Sequence, residues 1–117
     1  TNRRTVCRYY VIKRKDRHIM IKHIVVWRMN DTPDKAEKMN AIKENLEALK
    51  GKIDFLRDIR VGINFNTTDA ASDIVLETVF DTKEDLEKYQ NHPDHVAVGR
   101  DYVRPNVSER RVIDYVF

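Results

Sequence analysis

The chain has few of the residues from which several familiar kinds of site are built. Its one cysteine, Cys7, excludes an internal disulfide and a thiolate metal cluster. A reducing compartment is the simplest setting, so a cytoplasmic protein is expected. Three glycines, Gly51, Gly62 and Gly99, cannot build a glycine-rich phosphate cradle or a dinucleotide fingerprint. No apolar run approaches the ~20 residues of a membrane-spanning helix, so no membrane partner is expected. The 117 residues, 41% of them hydrophobic, make one domain with a modest core. A domain of this size gains from pairing with a second copy.

Charge is unevenly placed. The net value is +3 over the chain, but residues 1–19 carry seven Arg and Lys against one Asp. The remainder is therefore mildly acidic. The basic leader has no clean apolar segment, because Arg8 interrupts it, and it does not read as a secretory signal. Met20 follows at once and opens a strand. One reading makes Met20 the natural start and residues 1–19 upstream or non-native sequence. Another makes the leader an arm that docks on the body or on a partner subunit, since residues 6–12 have strand-like composition. A nucleic-acid arm around Tyr9 and Tyr10 is the third reading. It is not expected, because the acidic body offers no continuing basic surface. The folded domain is placed at residues 20–117.

Along that domain, residues 20–29 are rich in β-branched side chains. His23, Val25 and Trp27 share one face, and Ile24 and Val26 share the other with Lys22 and Arg28. Apolar residues on both faces predict a strand covered on both sides. Thr32, Pro33 and Asp34 form a helix start. Ala36, Met39, Ile42, Leu46 and Leu49 then recur as one helical stripe, stopped at Gly51. Residues 55–65 alternate as a second strand, a polar connection follows, and residues 74–80 form a third. Thr82 to Asp85 is a capping box for a helix carrying Leu86 and Tyr89. A second short helix carries Val96, Val98, Tyr102 and Val103 and closes before Pro105. A fourth strand is expected at residues 111–117. The order β-α-β-β-α-β is the ferredoxin-like, α+β pattern: an antiparallel sheet with helices on one face. The other face calls for a twofold partner, a homodimer joined through its sheet faces.

The stretch 89–95, Tyr-Gln-Asn-His-Pro-Asp-His, concentrates the candidate chemistry. In an unbroken helix Tyr89 and His95 would lie about 600° apart, on different faces. Pro93 lacks an amide donor, clashes with the preceding turn and pushes His92 toward extended angles. The helix should therefore end near Asn91 and restart at Pro93. Such a corner can turn Tyr89 and His95 toward one space, where an imidazole and a phenol can act as a general acid/base pair. The plainer reading is a core aromatic and a hydrogen-bonded histidine. A metal at His23, His92 and His95 is weighed and not expected, because such spacing is common. No cofactor is expected.

Residues 21–25 (Ile-Lys-His-Ile-Val), 89–96 and 112–115 (Val-Ile-Asp-Tyr) resemble the stress-responsive A/B barrel, or Dabb, family of the dimeric α+β barrel superfamily. The resemblance spans residues 21–115 and leaves the leader outside. It implies a homodimer whose sheets pack face to face as a barrel. Most members have no assigned activity. A relative in kind, olivetolic acid cyclase, closes a linear polyketide by an aldol-type condensation. Its catalytic tyrosine and histidine match Tyr89 and His95, and a pocket histidine matches His23. The resemblance thus implies a pocket with His95, Tyr89 and His23 as its chemical groups. Trp27, Val25, His92 and Val96 are the other candidate substrate-binding residues. Trp27 is large enough to fill the space that a long acyl chain would need. Two functions stay open: a cofactor-free cyclase, isomerase or lyase acting on a small carbonyl or polyketide-like molecule, and a non-catalytic binding or structural stress-response dimer.

Overall fold

The computed structural model describes residues 19–117. The leader, apart from Ile19, lies outside the described residues, and so do the readings placed on it. The elements run β1 (Ile21–Met29), α1 (Lys35–Glu47), β2 (Asp58–Ile63), β3 (Ile74–Phe80), α2 (Lys83–Asn91), α3 (Pro93–Val98) and β4 (Val107–Val116). The sheet order is β2-β3-β1-β4, and every neighbouring pair is antiparallel. This is the expected split β-α-β topology, with β1 and β3 in the centre.

One face of the sheet meets the helices. Ile21, His23, Val25, Trp27 and Met29 of β1 are buried there, beside Ile59 and Val61 of β2 and Ile74, Leu76, Thr78 and Phe80 of β3. From α1, Ile42 and Leu46 close over them, joined by Leu49 just after the helix; from α2 come Leu86 and Tyr89. The strict alternation of burial along β1 and β3 follows from the two-residue period of a strand. The opposite face carries Ile24, Val26, Val75, Val79 and Ile113, and Ile113 is 63% exposed.

Three local expectations change. Helix α1 begins at Lys35, and Thr32 does not cap it: its hydroxyl donates to Asp34 at 2.7 Å, with Pro33 in the preceding turn. Ala36 is exposed and leaves the stripe. The first turn is held instead by the Lys35–Asp73 ion pair at 3.0 Å. Strand β2 starts at Asp58 and not at Phe55. The buried side chains of that connection are Ile53 and Leu56, while Phe55 turns toward α2, with the Lys88 ammonium 4.8 Å from its ring centre. Strand β4 is longer than expected, opening at Val107.

The break at Pro93 is as expected. His92 is extended (φ −65°, ψ 133°), α2 stops at Asn91 and α3 restarts at Pro93. Thr82 caps α2 by accepting from the Asp85 amide at 3.0 Å.

The edge strand β2 is closed by side chains. From α1, Glu47 accepts from the Val61 amide at 3.0 Å, and Lys43 donates to the Val61 carbonyl at 2.6 Å. Lys43 and Glu47 are themselves paired at 2.9 Å. Together they satisfy both backbone groups of Val61, as a neighbouring strand would.

Candidate active site

Strand β1 presents His23 on the helix-facing side of the sheet, and α2 brings Tyr89 over it. The kink at His92 then turns α3 so that His95 lies against Tyr89. The Tyr89 and His95 ring centres are 4.3 Å apart, Phe80 is 5.1 Å from Tyr89, and His23 meets the phenol edge-on at 6.4 Å. The corner therefore does what the sequence suggested: it folds Tyr89 and His95 together.

The three groups differ in their surroundings. His95 Nδ1 donates to the carbonyl of Gln90 at 3.2 Å, which leaves Nε2 as its basic nitrogen. Burial lowers the His95 pKa below its ordinary 6.5, and Arg110 is among the charges acting in the same direction, so the ring is neutral at pH 7. His23 is 2% exposed, and its Nδ1 donates to Asp114 of β4. The two residues face each other across the β1–β4 pairing. Tyr89 is fully buried, and its hydroxyl has no hydrogen-bond partner among the described residues. Burial pushes its pKa well up. The contact between Tyr89 and His95 is ring against ring, not a hydrogen bond.

A cavity of about 260 Å³ lies between this corner, β1 and the approach to β4. His23, Val25, Trp27, His95 and Val96 line it, as expected. Trp27 forms a wall and does not fill the space. Two candidates fall outside. Tyr89 lies against His95 and is not part of the lining. His92 faces a separate groove with Phe55 and Pro93, because its ring caps α3 and accepts from the Asp94 amide at 3.1 Å. His92 is therefore corrected from a pocket residue to a capping residue. It diverges from His23 and His95, and among the described residues no three His, Cys, Asp or Glu side chains are grouped to hold a metal ion.

Sequence reasoning missed Gln90, Asp114, Arg104 and Arg110. A signal existed for two of them. Arg110, Val112 and Asp114 alternate along β4, which puts them on one face with His23 once the register is known.

The described helices include none long and apolar enough to cross a membrane. A stress-response A/B barrel domain-containing protein of Arabidopsis thaliana is 30% identical over 97 residues, covering 83% of this chain and 36% of that protein. The chain thus spans about a third of that relative's length. A dimeric protein of ferredoxin-like fold from Bacteroides fragilis is 39% identical in its crystal structure, with a TM-score of 0.77 over 84% of this chain and 96% of that one. A hydroxynitrile lyase from Passiflora edulis shares the fold at 14% identity, with a TM-score of 0.66 over 84% of this chain and 93% of the other. The family model for the stress responsive A/B barrel domain matches residues 21–117, and the chain belongs to that family.

Proposed function

We propose that this domain binds a small carbonyl compound in the cavity beside His95 and moves a proton on it without a cofactor. The observation that carries the reading is the placement of His23 and His95 on one 260 Å³ cavity, with the Tyr89 phenol packed against both rings. His95 is the base. Its neutral ring has Nδ1–H committed to Gln90 and Nε2 free to take a proton from the carbon beside the carbonyl. The electron pair released moves onto the carbonyl oxygen. Tyr89 is the candidate donor for that oxygen: its hydroxyl has no hydrogen-bond partner among the described residues, and its ring lies against His95. His23, fixed by Asp114, is a polar wall. The volume is below the ~300–1,000 Å³ of sites for drug-sized ligands, which suits a small substrate. The Passiflora enzyme supports the reading only in that this fold can carry a lyase.

The test is exchange of the α-hydrogens of small alkyl and aryl ketones with D₂O, followed by proton NMR. Catalysed exchange that falls about 10²–10⁴-fold in His95→Gln is expected of a lost general base. Binding without exchange supports the second reading, a ligand-binding domain without chemistry. The absence of Tyr89 from the cavity lining favours that alternative. Neither binding nor exchange would sink both.

The quaternary reading is a homodimer joined through the outer sheet face, where Ile24, Val26, Val75, Val79 and Ile113 lie. The Bacteroides relative is dimeric. A single cysteine suits a reducing cytoplasm.

A further inference from the structure

Five of the seven arginines among the described residues are paired with a carboxylate. Arg28 and Arg111 meet Glu109, Arg57 meets Asp81, Arg60 meets Asp58 and Arg100 meets Asp101. The two without such a partner among the described residues are Arg104 and Arg110, and both line the cavity that holds His23 and His95. They arrive from different elements. Arg104 stands in the helical turn that leads into β4, and Arg110 stands opposite Trp27 in the β1–β4 register. Among the described residues no Asp or Glu lines the cavity. Asp114, the carboxylate closest to it in the β4 sequence pattern, is engaged by His23. The charge of Arg110 is felt at His95, where it opposes protonation. The other walls are apolar: Val25, Trp27, Leu46 and Leu76 among them.

Two cations on an apolar cavity with no anion of their own describe one kind of ligand. We propose that the cavity takes a small organic acid, with its carboxylate held by Arg104 and Arg110 and its apolar body against Trp27, Leu46 and Leu76. A guanidinium presents parallel donors that match a carboxylate. The size of the cavity suits a small acid better than a nucleotide, and its apolar walls disfavour a free inorganic anion. The inference rests on the cavity being a ligand site, as argued above, and it deepens that reading. A carboxylate anchored at the arginines would leave the rest of a keto acid to meet His95.

The experiment compares benzoate with its neutral counterpart benzamide, and with inorganic phosphate, by calorimetry and by NMR shifts of the Val25 and Trp27 amides. Benzoate is expected to bind best and to weaken with added salt. Arg104→Gln and Arg110→Gln should each weaken benzoate about tenfold, as expected for one charge-assisted hydrogen bond, while leaving benzamide unchanged. Both side chains are exposed, and an unchanged melting temperature checks that the variants fold. If benzamide binds as well as benzoate, or the variants bind benzoate as the parent does, the carboxylate site is wrong and the cavity still takes ligands. If phosphate binds as tightly as benzoate, the apolar walls contribute nothing and the organic-acid assignment falls. If none of the three binds, this inference falls, and the ligand-site reading falls with it when the ketones also fail to bind.

Discussion

Tyr89 is a buried residue whose hydroxyl has no hydrogen-bond partner among the described residues. A buried polar group left unmade costs about 1–3 kcal/mol. Removing the oxygen should therefore help the fold. Tyr89→Phe is expected to hold or raise unfolding free energy by up to about 1 kcal/mol in urea melts. The same variant should slow ketone exchange if the phenol donates to the reacting oxygen. A purely packing role for the hydroxyl predicts a loss of stability instead, so the two measurements in one variant separate the roles. His23 and Asp114 show what the chain conceals at this scale. They lie 91 positions apart, and only the β1–β4 register brings them together. Tyr89 and His95 were legible because the device that joins them, Pro93, acts on its own neighbours. That His92 points the other way was not legible: whether its ring caps α3 or enters the cavity depends on a side-chain torsion that the spacing leaves open.

At the scale of elements, β1 ends at a clamp. Asp73, just before β3, accepts from the Met29 amide at 2.7 Å and pairs with Lys35 of α1 at 3.0 Å. Burial works against its charge, but the Met29 amide and the Lys35 ammonium outweigh it and hold the carboxyl below its ordinary 3.8. A depressed folded-state pKa means that the contribution is complete above the unfolded value and is lost as pH falls through the folded one. Asp73→Asn should therefore destabilise the protein at pH 7, by about 1–2 kcal/mol. The difference from the parent should close as pH drops below 3.8, which thermal melts across that range will show. The order of elements was legible because strand and helix periods differ. Their ends were not. Phe55 fits the alternation of β2, yet it packs toward α2, and Ala36 fits the helical stripe, yet a salt bridge holds that turn. Period alone does not say where an element leaves the core.

At the scale of the molecule, the sheet has one face inside and one outside. Ile113, 63% exposed, stands opposite Ile24 in the register of β1 and β4. A second copy laid on this face would bury it. Ile113→Glu is expected to shift the protein to the monomer in sedimentation velocity, with the circular dichroism spectrum retained. A dimer of unchanged affinity would remove the sheet face from consideration. The two-sided apolar pattern of β1 pointed to such a cover before any coordinates. It could not show that the cavity lies on the opposite side of the sheet, lined by residues of one chain.

The Lys43–Glu47 pair that closes Val61 bears on a different hazard. A sheet with two bare edges can recruit strands at both ends and so grow into a fibre. Here one end is stoppered by side chains of the molecule's own helix, so an incoming strand must first displace an ion pair and two hydrogen bonds. Among the described residues β4 has no comparable stopper. Pairing through an edge should therefore favour β4, and a union of β4 with β4 uses up the edge it needs and ends at two chains.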